Sequence, residues 1–272
     1  MKSLQYILLA TVFLFISCEK VIDVGLETAK PRLVIEASIN WVNGTDGTEQ
    51  KVKLSTTTDY FSNTIPPVTN AVVFITNSTN QQFEFLQDAE LGIYKCADFF
   101  PVLGESYTLT VLYEGEMYKA TETLLNTPSV KRVEQKNDAG ILGNATELKF
   151  FFDDIQNETN QYLVKIKQPY KVIPEYGVLE DRFFQNNEMF AYYASEDFKT
   201  GDTIRFTNSG ITLNYYNYMN ILISQAGGGN MGPFSTPTST IRGNIINQNN
   251  FDNYALGYFR LSKTEMSEFI IE

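Results

Sequence analysis

Between Leu33 and Leu124 the chain is a succession of short runs that alternate at period two and are cut by turn residues, and this limits its fold more than any other feature. The runs are Leu33 to Ile39 (LVIEASI), Lys51 to Thr56 (KVKLST), Ala71 to Thr76 (AVVFIT), Gln82 to Leu86 (QFEFL), Gly92 to Ala97 (GIYKCA), Tyr107 to Tyr113 (YTLTVLY) and Met117 to Leu124 (MYKATETL). In the sixth, Tyr107, Leu109 and Val111 point one way and Thr108, Thr110 and Leu112 the other, the pattern of a strand with one buried face. Glu114-Gly115 between the last two runs marks a hairpin, because glycine supplies a positive φ. Seven short strands in about a hundred residues predict an immunoglobulin- or fibronectin-like β-sandwich over residues 32–127. Leu125-Asn126-Thr127-Pro128 then closes that unit.

Strand patterns resume after Val130 at Glu147 to Asp153, Gln161 to Gln168, Arg182 to Gln185, Glu188 to Tyr193, Thr203 to Thr207, Thr240 to Ile246 and Tyr254 to Leu261. One helix interrupts them. From Leu213 to Ala226, Tyr215, Met219, Leu222 and Ala226 recur at helical spacing with Tyr216 and Ile223 alongside, which predicts one apolar stripe facing a sheet. Asn214, Asn217, Tyr218 and Gln225 fall on the other side, and Gly227-Gly228-Gly229 stops the helix. The expected fold is therefore mainly β, with the sandwich followed by a second β-rich domain over 128–272 that carries one main α-helix near 213–226.

The first eighteen residues, MKSLQYILLATVFLFISC, have a single Lys2 and then an apolar stretch too short to span a bilayer. This is the pattern of a signal peptide over residues 1–17. Ser17-Cys18 resembles the relaxed lipobox of bacterial lipoproteins, in which the cysteine becomes the first residue and its thiol takes the lipid. Cys18 is thus the expected lipid attachment, and residues 18–31 the tether; an ordinary signal peptide with an incidental Cys18 is the alternative. Cleavage removes Lys2 and leaves Cys96 as the only other cysteine, so no intramolecular disulfide is expected. Alternation with Tyr94 makes Cys96 a buried structural thiol.

Composition removes several chemistries. The chain has no histidine, so His-based triads and His-ligated metals cannot be built. A net charge of -11 without a cluster of Lys and Arg speaks against nucleic acid. Asp153-Asp154, Glu180-Asp181 and Glu196-Asp197 are sequence neighbours that would point to opposite faces of a strand, and no calcium-loop pattern is present. Catalytic residues, a resident metal and a cofactor are therefore not expected. Gly227 to Gly232 follows the helix, whereas a phosphate loop precedes one, so its expected roles are a connector or a loop carrying Met231 and Phe234 to a partner. Ten of the sixteen tyrosines lie between Tyr162 and Tyr258. Strand propensity explains some of them, but adjacent tyrosines cannot all face one core. Tyr192, Tyr193, Tyr218, Met231 and Phe234 form the candidate surface for a small ligand, a peptide or a glycan.

Cys18-Glu19-Lys20-Val21-Ile22-Asp23, Pro31-Arg32-Leu33-Val34-Ile35-Glu36, Val52-Lys53-Leu54-Ser55, Asp59-Tyr60-Phe61, Pro67-Val68-Thr69-Asn70-Ala71, Gly92-Ile93-Tyr94 and Gly104-Glu105-Ser106-Tyr107 follow in order. Tyr215-Tyr216, Gly232-Pro233-Phe234, Ile241-Arg242-Gly243-Asn244 and Leu256-Gly257-Tyr258-Phe259 complete the series, with Gly232 where Asn would be expected. In these the chain resembles lipoproteins of Bacteroidota of unknown function, often encoded beside TonB-dependent outer-membrane receptors. The resemblance implies an outer-membrane, lipid-anchored, non-catalytic accessory or ligand-binding partner of such a receptor in nutrient uptake. The competing expectations are a structural or adhesive surface lipoprotein and a carboxylate-dependent hydrolase.

Overall fold

The computed structural model describes residues 30–59, 62–140, 143–156, 158–182, 184, 187–226 and 240–272. The expected signal peptide, Cys18, most of the tether, the Gly227 to Gly232 loop, Met231 and Phe234 lie outside the described residues. Strands β1 (Leu33–Val42), β2 (Gln50–Thr56), β3 (Val72–Asn77), β4 (Gln82–Gln87), β5 (Ile93–Cys96), β6 (Ser106–Tyr113) and β7 (Glu116–Leu125) come first. They are followed by β8 (Val130–Ala139), β9 (Ala145–Asp153), β10 (Gln161–Lys167), β11 (Glu175–Glu180), β12 (Glu188–Ser195) and β13 (Thr203–Ile211). The helix α1 (Leu213–Ala226), β14 (Ile246–Asn247) and β15 (Leu256–Ile270) complete the order. Among the described residues no helix is long and apolar enough to cross a membrane.

The protein is mainly β, as the alternating runs predict, but its first region is a barrel-like ring rather than an open pair of sheets. The order β15-β1-β2-β5-β4-β3-β6-β7 closes on itself through the pairs Leu261↔Leu124 and Ser262↔Leu125. The cause is β15. It runs parallel to β1 from Leu256 to Thr264 and meets β7 on its other edge, so the edges of β1 and β7 are covered. Ile35, Ile39, Val52, Leu54, Leu109 and Phe259 are fully buried inside, and removing each of these larger side chains from water contributes about 1.5–3 kcal/mol. At the start of β6 the Tyr107 hydroxyl donates to the Phe100 carbonyl (2.8 Å) and accepts from the Val102 N–H (2.9 Å). The β6–β7 hairpin turns through Glu114 (φ 50°) and Gly115 (φ 79°), as the glycine predicts.

Pro31–Glu272 is one compact unit, and the division expected at 127/128 falls within it. Thr127 is buried; its hydroxyl accepts from the Gly210 N–H (2.7 Å) and donates to the Lys263 carbonyl, tying the connector to β13 and β15. Beyond Thr264, β15 pairs with β13, and β10 and β11 extend the sheet. The separate sheet β12-β9-β8 supplies a second layer. Leu148, Phe150 and Phe152 of β9 share one core with Tyr162, Val164 and Ile166 of β10 and with Phe206 of β13. Phe150 and Phe206 stack there at 4.3 Å between centroids. Leu163 faces the opposite way and packs with Tyr215 and Met219 of α1, so the alternation of β10 serves two cores.

Among the described residues two expected strands are not formed. Of 182–185, residues 182 and 184 are in turns: the Phe184 N–H donates to the Asp181 carbonyl (2.6 Å) and the Asn187 N–H to that of Phe184 (2.7 Å). The Phe184 ring packs edge-on to Phe190, which satisfies the apolar position without a ladder. Of 240–246 only Ile246 is in a strand. Asn244 supplies with its side chain what a strand would supply with backbone, donating to the Phe259 carbonyl (2.9 Å) and accepting its N–H (3.0 Å).

Candidate functional site

The residues that leave the ring core build the site. Leu33, Ile35, Ala37 and Ile39 of β1 point into the ring. The alternate residues Glu36, Ser38 and Val42 stand on its outer face and pair with Tyr258, Arg260 and Thr264 of β15. Through Thr207 and Ser209 of β13 and Leu163 and Lys165 of β10 this face becomes the floor of a groove of about 690 Å³ with α1 along its wall. A close approach makes the floor continuous. Gly257 has φ +92°, and a Cβ there would lie 2.1 Å from the Ile35 carbonyl oxygen, so only glycine lets β15 start this near β1.

α1 is capped by Thr212, whose hydroxyl accepts from the Tyr215 N–H (3.3 Å). Its buried residues are Tyr215 and Met219. Leu222 remains exposed at the mouth of the groove, instead of facing the sheet as the apolar stripe predicts, while Tyr218, expected on the polar side, is packed inward. The reason is aromatic: Tyr215, Tyr218 and Tyr258 form a triangle with centroids 4.7, 5.0 and 5.8 Å apart, and such contacts add about 0.5–1.5 kcal/mol per pair beyond burial. Tyr176 of β11 also lines the groove.

Polar groups converge on the floor. Arg260 is 9% exposed. Its Nη2 donates to Asn40 Oδ1 (2.9 Å), which also accepts from the Thr264 hydroxyl (3.3 Å). Asn40 is itself fixed by Gln50, which accepts its N–H and donates to its carbonyl, both at 3.1 Å. Arg260 Nε and Nη1 are buried with no hydrogen-bond partner. Burial, followed by the charges of Arg260 and Arg205, lowers the Lys165 pKa. Behind Tyr258, burial raises the Glu122 pKa, opposed by hydrogen bonds from Asn244 and Tyr258. This arrangement can hold a ligand that is aromatic or apolar along its length and polar at one end.

Of the expected surface, the described residues Tyr192, Tyr193 and Tyr218 lie on two different elements, β12 and α1. Tyr218 lines the groove, whereas Tyr192 is 55% exposed on β12. Tyr193, on the other face of β12, donates to Glu175 Oε1 (2.5 Å), a carboxylate that also binds Lys171 (2.6 Å). That bond steadies the connection bearing Ile173, another lining residue. Arg260, Lys165, Tyr176, Tyr215 and Tyr258 lie outside the binding surface expected from the sequence. A lone cation inside an otherwise apolar strand, as at Arg260 in GYFRL, is the signal that could have found one of them.

Elsewhere, Asp154 and Asp181 are buried near Tyr162. Burial first, and then the charge of Asp154, pushes the Tyr162 pKa up. Asp181 accepts the Asn160 N–H (2.7 Å), and Asn160 and Tyr162 line a separate cavity of about 430 Å³. Among the described residues no group of three or more potential metal-ligating Cys, Asp or Glu side chains is present. Cys96 is buried, donates to Asp98 (3.1 Å), and has its thiol pKa pushed up to about 11 by burial and then by Asp98.

A family model described as a domain of unknown function (DUF4249) matches residues 19–268. The chain belongs to this family. No curated protein matches it. Among solved structures, the DUF4249 chain is similar to a cytokine receptor complex at 8% identity and TM-score 0.25, covering 65% of this chain and 82% of the other. It is also similar to a two-domain fibronectin type III segment of chicken tenascin, at 10% identity and TM-score 0.22, with coverage of 67% and 91%. For the FN1-FN3 domains of chicken CNTN1 the values are 10%, 0.26, 66% and 63%.

Proposed function

We propose that this DUF4249 protein is a lipid-anchored outer-membrane protein that binds a ligand non-covalently as the accessory partner of a TonB-dependent receptor. The observation that carries the binding part is the groove under α1, where four tyrosines and a buried polar floor converge in a volume suited to a small molecule or a short peptide. The anchor and the receptor are supported by the Ser17-Cys18 sequence and by the resemblance to lipoproteins encoded beside such receptors. On this reading the first region is an immunoglobulin- or fibronectin-like unit into which β15 is spliced. Its support is the order β1-β2-β5 and β4-β3-β6-β7 together with Tyr107, which bonds back to the chain upstream of β6 as the tyrosine corner of such domains does.

The test is purification of the full-length chain from its native membrane in mild detergent. A β-barrel receptor should co-purify, and mass spectrometry should find a small molecule or peptide whose retention is lost when Tyr218→Ala opens the groove. Recovery without a barrel would favour a structural or adhesive lipoprotein. A Cys18→Ala protein that stays membrane-bound would remove the lipid anchor from the proposal.

A further inference from the structure

Resting on the reading of the groove as a ligand site, we infer that its floor receives a carboxylate of the ligand, held by Arg260 and Lys165, while the tyrosines enclose the ligand's apolar body.

The argument begins with an imbalance of charge. A guanidinium that is nine-tenths buried is costly to desolvate unless an anion faces it. The hydrogen-bond acceptor of Arg260 is the neutral amide of Asn40, and Nε and Nη1 have no partner. Arg260 lines the groove, and a nine-tenths buried cation with unsatisfied donors at its floor favours an anionic group that the ligand brings.

Lys165 adds a second cation to the same floor, from β10, and burial beside Arg260 disfavours its charged form. An arriving anion would relieve both groups. The nearby acids are otherwise engaged. Glu36, on the rim, pairs with Lys53 at 2.9 Å; Glu268 pairs with Arg205 at 2.7 Å; Glu122 is covered by Asn244 and Tyr258.

Two features select a carboxylate. The remaining Arg260 hydrogens lie in one plane, matching a planar anion. The aromatic triangle beside Arg260, with the guanidinium 5.5 Å from the Tyr215 centroid, supplies a surface for an apolar or aromatic body.

The inference is tested on the full-length chain in detergent by saturation-transfer NMR titration with indole-3-propionate and its neutral amide, indole-3-propionamide. The acid should bind at least about tenfold more tightly than the amide. Arg260→Gln and Lys165→Gln should each bring the acid down towards the amide's affinity and leave the amide unchanged. Arg260→Gln keeps a donor for Asn40, and Lys165→Gln lies outside that hydrogen-bond set, so a fold defect common to both is not expected; unchanged melting temperatures check this. Equal binding of acid and amide, unaffected by either variant, would overturn the carboxylate site and leave the groove reading standing. Binding of neither compound would overturn the groove reading and this inference with it. Displacement of the acid by lower concentrations of phenyl phosphate would overturn the choice of carboxylate.

Discussion

In the ring, the buried tyrosines at its ends are fully matched: Tyr94 bridges the Ala71 N–H and the Val68 carbonyl, and Tyr107 bridges Val102 and Phe100. In the layered region Asn160, Tyr162, Asp181 and Asn208 each keep a buried polar atom without a hydrogen-bond partner, as does Arg260 on the outer face of the ring where it meets that region. Among the described residues, none of residues 32–127 is in that position. The contrast follows from geometry. A closed ring has one interior, filled by one side of every strand, and its polar groups meet nearby backbone. The layered sheet is covered on one face by β8, β9 and β12 but on the other only by α1, which leaves the groove that Arg260 lines, while Asn160 and Tyr162 line the separate cavity.

The largest effect should come from breaking the junction that the two regions share. Gly257→Ala forces a side chain onto φ +92° and against the Ile35 carbonyl, and should cost more than about 3 kcal/mol. Thermal melting should show a loss of folded protein affecting both regions together; selective loss of one would show that they are less coupled than β15 implies. Next, Tyr107→Phe should cost about 1–3 kcal/mol by leaving the Val102 N–H and the Phe100 carbonyl without the hydroxyl, measured by denaturant unfolding. A smaller effect of opposite sign is expected in the groove. Arg260→Met removes a buried cation whose charge no acid matches, while Thr264 still donates to Asn40, so stability should be unchanged or raised by up to about 1 kcal/mol.

The smallest effect is in pH dependence. The folded protein holds the Glu122 proton above the group's ordinary value near 4.5 because burial disfavours the carboxylate. It therefore binds more protons than the unfolded chain above that pH, and the contribution of Glu122 to stability falls as pH rises through its folded pKa. Glu122→Gln should flatten this part of the stability curve, measured by melting at a series of pH values. An unchanged slope would show that Glu122 is better solvated than its place behind Tyr258 implies.

The readable parts of the fold were those set by local pattern. Period-two alternation placed β1 to β7 within a few residues, Gly115 placed their last hairpin, and the 213–226 stripe matches α1. The misreadings came where side chains replaced backbone pairing. Asn244 takes both bonds of Phe259, so an apolar stretch that reads as a strand is held without one; Phe184 lies in a turn because Phe190 offers it a packing partner. Of the site, Tyr218 was legible as part of an aromatic excess, although it packs inward. Tyr193 belongs to the same aromatic excess and donates its hydroxyl to Glu175.

Sequence alone determined that the chain would be mainly β with one helix, that histidine chemistry was excluded, and which face of β6 would carry Tyr107, Leu109 and Val111, because these depend on composition and on spacings of two to four residues. Only the tertiary structure decided that the first region is a closed ring and that its outer face is the floor of a groove. Both depend on β15 crossing from the end of the chain to lie beside β1. Arg260 and Asn40, 220 residues apart, share a hydrogen bond through that crossing; a long-range strand pairing of this kind leaves no local periodicity from which to read it.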